Sequence, residues 1–145
     1  PSTPFVATFV GENNAFAGKV DKISKGVALV NVDGMSFSGA VGKTIEGDQH
    51  PLSVGESVVL FVRPESLTLA KDTKTTKNKF SANIETIEFE GNVKNIYLKT
   101  STKKSIRFSV PSVFDTSGLN PGTKIDLAFT SESAIVLPNG PLALD

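Results

Sequence analysis

Few residues of this chain have types and spacing suited to chemistry: Gly42-Lys43-Thr44, a single histidine at position 50, and the lysines at 71, 74, 77 and 79. A phosphate-cradling loop needs a glycine five residues before the glycine of its Gly-Lys-Thr, so that backbone amides can wrap the anion. Here that position is Phe37, the triplet follows a hairpin strand, and no apolar helix comes after it. A phosphate loop is therefore not expected. His50 has Asp48 nearby but no cysteine and no carboxylate cluster, so it lacks the donor set of a metal site and reads as a loop residue. No Ser-His-Asp or paired-carboxylate pattern with supporting context occurs. The expectation is that no catalytic, cofactor-binding or metal residue lies in this chain.

The lysine run sits against one aspartate, Asp72, and reads first as a solvated linker. The sharper alternative is a single-strand nucleic-acid binder, with Phe80, Phe89, Tyr97 and Phe108 stacking on bases. Fifteen basic and fifteen acidic residues give zero formal net charge, so no nucleic-acid partner is expected. Arg63 and Glu65 flank Pro64 closely enough to share a face at a strand end. They read as a structural ion pair fixing the turn, or as a contact to a partner subunit.

The elements that would hold these residues are visible in a repeat. Residues 55–69, GESVVLFVRPESLTL, recur in worn form as residues 122–136, GTKIDLAFTSESAIV. At one constant offset Gly55 matches Gly122, Val58 matches Ile125, Leu60 matches Leu127, Val62 matches Phe129, Glu65 matches Glu132 and Ser66 matches Ser133. A glycine turn, an alternating apolar strand and a Glu-Ser turn make one structural unit used twice. The first copy is apolar on both faces, with Val58, Leu60 and Val62 on one and Val59 and Phe61 on the other. Such a strand is covered on both faces, by the other half of the chain or by a partner. In the second copy Asp126, Ala128 and Thr130 form the outward row, which predicts contact with water.

Around the repeat, residues 3–11 read as a short helix. Thr3 caps it, Pro4 opens it and Gly11 closes it, while Phe5, Val6, Phe9 and Val10 form one apolar face that must pack on something. Strands are predicted over 15–23, 27–32 and 35–41, with Asp33-Gly34 as a tight hairpin turn. A second series is predicted over 80–90, 93–100 and 105–110. Phe80-Ser-Ala-Asn-Ile84 echoes Phe16-Ala-Gly-Lys-Val20. The resulting fold class is all-β, two five-stranded OB-like barrels with a short N-terminal helix. The predicted division is a linker helix over 1–14, a first half over 15–70, a polar linker over 71–79 and a second half over 80–145. There is no cysteine, which fits a reducing compartment. Opening on Pro1, the chain is expected to be a domain of a longer cytoplasmic protein.

Three motifs carry a family resemblance: residues 5–14, FVATFVGENN; residues 55–69 with Arg63-Pro64-Glu65 at their centre; and residues 122–137, closing on Glu132-Ser-Ala-Ile-Val-Leu137. In this order they resemble the C-terminal regulatory region, the transport-associated OB (TOBE) domain, of ATP-binding subunits of bacterial ABC importers. The group includes polyamine, ferric-iron and sugar transporters. Thr130-Ser131 replaces the Arg-Pro pair in the second copy, and residues 39–51 match no part of the pattern. The resemblance implies a pair of OB-like barrels that helps hold two ATPase subunits together and receives regulatory signals without hydrolysing ATP. It implies as partners an ATPase domain of the same chain, a sister subunit in a homodimer, and membrane permease subunits at the inner membrane. ATP and Mg²⁺ would belong to the upstream domain. Phe5, Val6, Phe9, Val10, Val59, Phe61, Arg63 and Glu65 are the candidate interface or structural residues. Related tandem domains bind oxyanions in a shallow site, a role for which Ser53, Ser109 and Lys124 are the candidates here.

Overall fold

The computed structural model describes residues 11–42, 51–74 and 78–139. Among the described residues there are ten strands and three single-turn 3-10 helices, and Gly11 and Glu12 are helical just before the first strand. The helix expected over 3–11, with Phe5, Val6, Phe9 and Val10, lies outside the described residues apart from Gly11.

The first unit begins with a meander: β1 (Asn14–Ser24), β2 (Val27–Val32) and β3 (Met35–Val41). Two-residue turns join them. At the second turn Asp33 and Gly34 both have positive φ, 53° and 87°, the mirror-image geometry that follows the right-handed twist of the strands. Asn31 Oδ1 accepts from the Gly34 amide at 3.1 Å and holds the turn. β4 (Ser57–Val62) returns to pair antiparallel with β1. The circle closes in the order β1-β2-β3-β10-β4, where β10 (Ala134–Pro138) comes from the far end of the chain. Phe16 and Phe37 meet edge to face inside, with ring centroids 5.2 Å apart.

The second unit is a five-stranded sheet ordered β5-β9-β6-β7-β8. Its strands are β5 (Thr68–Leu69), β6 (Asn78–Glu90), β7 (Val93–Lys99), β8 (Ser105–Pro111) and β9 (Lys124–Phe129). The sequence repeat is visible residue by residue in the hydrogen bonding. β1 is bulged between Val20 and Lys22, and β6 between Ile84 and Thr86. At those bulges the Gly55 amide donates to Val20 O and the Gly122 amide to Ile84 O, each at 2.7 Å. Gly55 and Gly122 share a φ of 89°, which an L side chain adopts only at a cost.

The two units are not successive halves of the chain. Unit 1 comprises residues 1–63 and 130–145, and unit 2 comprises residues 64–129. This differs from the expected 15–70 and 80–145 division, and the reason lies in where each repeat copy ends. The first copy places β4 in unit 1, turns through Pro64–Ser66, and delivers β5 to β9 in unit 2. The second places β9 in unit 2, turns through Ser131–Ser133, and delivers β10 to β4 in unit 1. The registers correspond: Phe61 faces Ile135, and Ala128 faces Thr68, at the repeat offset on both sides. Each copy thus gives its last strand to the unit that holds the other copy's first strand.

The units differ in closure. β10 pairs with β4 over Ala134–Pro138 and also, in parallel, with β3 at Ala40 and Val41. β5 covers only Leu127 and Ala128 of β9 before the chain enters the 3-10 turn Ala70–Asp72, so the second expected barrel is an open sheet between β5 and β8.

Candidate functional site

The apolar outward face of β4 is buried within the chain. Val59 and Phe61, 0 % and 2 % exposed, pack with Leu137 of β10 and Ala15 of β1 in a cluster of their own. All three strands belong to unit 1, and the incoming β10 supplies part of the cover. The expected burial is present and is made by the same unit, so these side chains are not exposed to a partner subunit. In the second copy Asp126 is exposed as expected, but Ala128 is fully buried, since β5 pairs across it at Thr68.

Arg63 and Glu65 are exposed on either side of buried Pro64, and both are engaged in interactions. They stand where the chain passes from β4 to the 3-10 turn that starts unit 2. Proline suits the first position of such a turn because its fixed φ is already helical. The matching turn at Ser131–Ser133 uses hydroxyls instead: Ser133 Oγ donates to Thr130 O at 2.8 Å, and the Ser133 amide reaches the same oxygen at 3.1 Å. Ser38 Oγ and Ser131 Oγ are hydrogen-bonded, tying this turn to β3. Two different local chemistries make the same turn, which explains why the Arg-Pro pair can be lost in the second copy.

Of the four aromatics weighed for stacking, Phe80 and Phe108 are core residues, Tyr97 is half-buried, and Phe89 is 71 % exposed with Lys94 Nζ 5.6 Å from its ring centre. Ser53 donates its amide to Glu56 Oε1, Ser109 Oγ donates to Asn95 Oδ1, and Lys124 is exposed at the start of β9. Ser53 belongs to unit 1, the other two to unit 2. Lys43, Thr44, Asp48, His50 and Lys77 lie outside the described residues. Among the described residues, no group of three or more His, Cys, Asp or Glu is placed to hold a metal ion, and no helix is long and apolar enough to cross a membrane.

The structure reveals a feature that sequence patterning did not suggest. Where β5 stops short, β9 is left uncovered at Ile125 and Asp126, and a groove of about 420 Å³ opens beside them in unit 2. Leu69, Leu119 and Ile125 supply its apolar wall, and exposed Lys71, Lys79 and Asp126 its charged groups. Asp126 is oriented by Ser81 Oγ, which donates to its Oδ1 at 2.5 Å. The loop bearing Leu119 is ordered by Asp115, whose Oδ1 accepts from Ser117 Oγ at 2.6 Å and from the Ser117 amide at 2.9 Å. Those two bonds hold the Asp115 carboxyl below its ordinary value, helped by the charges of Lys94 and Lys71. Lys94 reaches the same loop, donating from Nζ to Phe114 O at 2.9 Å and to Thr116 Oγ1 at 3.2 Å. The groove's residues come from segments far apart in sequence, so only the sheet topology assembles them.

A family model described as the TOBE domain matches residues 60–137, which run from inside β4 through β10 and so include both chain crossings. This chain is a member of the TOBE domain family. Three curated relatives bear the name spermidine/putrescine import ATP-binding protein PotA. The protein from Fusobacterium nucleatum is 28 % identical over 115 residues, covering 76 % of this chain and 29 % of the relative. That from Trichodesmium erythraeum is 33 % identical over 97 residues, covering 66 % and 23 %. That from Pseudomonas fluorescens is 29 % identical over 140 residues, covering 94 % and 35 %. The TOBE chain thus spans between about a quarter and a third of the length of these relatives. Among solved structures, the cytoplasmic molybdate-binding protein ModG superposes with a TM-score of 0.65 at 21 % identity, over 85 % of this chain and 94 % of that one. This likeness concerns the fold.

Proposed function

We propose that this TOBE chain is the accessory regulatory and dimerisation domain of the ATP-binding subunit of a bacterial ABC solute importer. The observation that carries the reading is the family match across both repeat copies, joined to relatives named as import ATP-binding proteins. In this reading the domain contributes no catalytic group. ATP and Mg²⁺ are held by the remainder of the subunit, which couples hydrolysis to uptake through permease subunits at the cytoplasmic face of the inner membrane. The reciprocal strands suit such a role. They join the two units through two chain crossings, at Arg63/Pro64 and at Phe129/Thr130.

The test uses the full-length subunit with and without this domain. Removing it is expected to leave basal ATP hydrolysis in place while weakening subunit dimerisation, measured by sedimentation, and solute-stimulated uptake in reconstituted vesicles. Unchanged dimerisation and unchanged uptake would refute the proposal.

A second reading, small-oxyanion sensing, is supported by the structural likeness to ModG, a molybdate-binding protein. Calorimetric titration with molybdate and sulfate addresses it, and silence with both would remove it.

A further inference from the structure

The groove beside β9 combines four properties that together define a ligand. Its volume of about 420 Å³ falls in the range of about 300–1,000 Å³ typical of small-molecule sites. Its wall of Leu69, Leu119 and Ile125 is aliphatic, with no aromatic residue among the lining groups. Two ammonium groups, Lys71 and Lys79, stand with one carboxylate, Asp126. That carboxylate is fixed in orientation by Ser81, whereas an unbound surface aspartate is free to swing.

These charges discriminate. A diamine or other polycation meets two lysines with a single acid to offset them. A multiply charged anion meets the carboxylate of Asp126. A purely apolar molecule gains nothing from three charged groups that it would desolvate. A ligand carrying one negative and one positive pole on a short aliphatic body satisfies all of them. Its carboxylate faces the lysines, its ammonium faces Asp126, and its hydrocarbon covers Leu119 and Ile125.

We propose that this groove is a binding site for a zwitterionic α-amino acid with an aliphatic side chain. The site lies wholly in unit 2 and stands independently of the importer reading. It exists because β5 ends after two residues, whereas β10 runs for five along the corresponding strand of unit 1.

The experiment titrates the isotope-labelled chain with four probes, L-leucine, isocaproate, isopentylamine and putrescine, and follows backbone amide shifts by NMR. L-leucine is expected to move the amides of Leu119, Ile125 and Asp126 in a saturable manner. Isocaproate should do so more weakly, and the two amines should leave them unmoved. Lys71→Ala and Lys79→Ala should each weaken L-leucine binding by up to about fivefold, the upper end for an exposed ion pair. Asp126→Asn should reduce the preference for L-leucine over isocaproate. All three positions are exposed, so unchanged melting temperatures confirm that the variants keep their fold. No saturable shift with L-leucine up to 50 mM would overturn the proposal. So would equal binding by isopentylamine or putrescine, or binding by the Lys71→Ala/Lys79→Ala double variant that matches the unsubstituted chain.

Discussion

Val136 is the residue at which the reciprocal exchange of strands can be tested most sharply. It follows Leu60 of β4 by 76 places and Val41 of β3 by 95 in the sequence, yet it is fully buried in unit 1 and pairs with both. Val136→Ala removes two methyl groups, about 1.6 kcal/mol at about 0.8 kcal/mol each. The space left in a closed barrel relaxes only in part, which brings the expected loss to about 2–3 kcal/mol. For a unit of this size that lowers the melting temperature by roughly 10–20 °C. Native-state hydrogen exchange locates the effect. Amides of β2 and β3, early in the chain, should lose protection, while those of β7 and β8 should keep it. Leu69→Ala, at the matching position of β5, should act in the opposite sense and loosen β6 and β9. If Val136→Ala instead deprotected β6 to β9 and spared β1 to β4, each half would be closing on its own strands and the exchange would be wrong.

Three further outcomes follow from the geometry. Gly55→Ala and Gly122→Ala should destabilise by similar amounts, about 1–2 kcal/mol in urea unfolding, since both sit at φ 89° with open space around the added carbon. Gly18→Ala should destabilise by about 1–3 kcal/mol, because its Cβ would stand 2.2 Å from the backbone carbonyl oxygen of Asn31, which the β1–β2 pairing holds in place; a neutral result in the same assay would contradict the close β1–β2 approach. Asp115 has a folded-state pKa below its ordinary 3.8, so its contribution is present above that value and lost as pH falls through the lower one. Asp115→Asn should therefore flatten the acid limb of a stability–pH profile below about pH 4 while changing its shape little near neutrality.

Much of the fold could be read from local chemistry. Asp33-Gly34 predicted its hairpin because few other pairs take positive φ twice, and the structure has that turn. The repeat predicted equivalent strands, and the matched bulges and glycine hydrogen bonds show that equivalence. What remained hidden was the destination of each copy's final strand. Pattern shows that residues 134–138 form an apolar strand, but both units offer an apolar edge, and pairing at long range leaves no local signature. The same ambiguity hid the reason for the two-faced burial of Val59 and Phe61, which Leu137 completes from the far end of the chain. The groove was invisible for a related reason: it depends on where β5 stops and the 3-10 turn begins at Ala70, not on any contiguous motif.

The central claim, that this TOBE chain serves an ABC importer ATPase, is tested most directly by sequencing the gene that encodes it. The account predicts an open reading frame running into Pro1 that encodes a Gly-x-x-x-x-Gly-Lys-Ser/Thr phosphate loop and the rest of an ATPase domain. A frame that encodes this domain alone, or joins it to a domain with no nucleotide-binding motif, would contradict it.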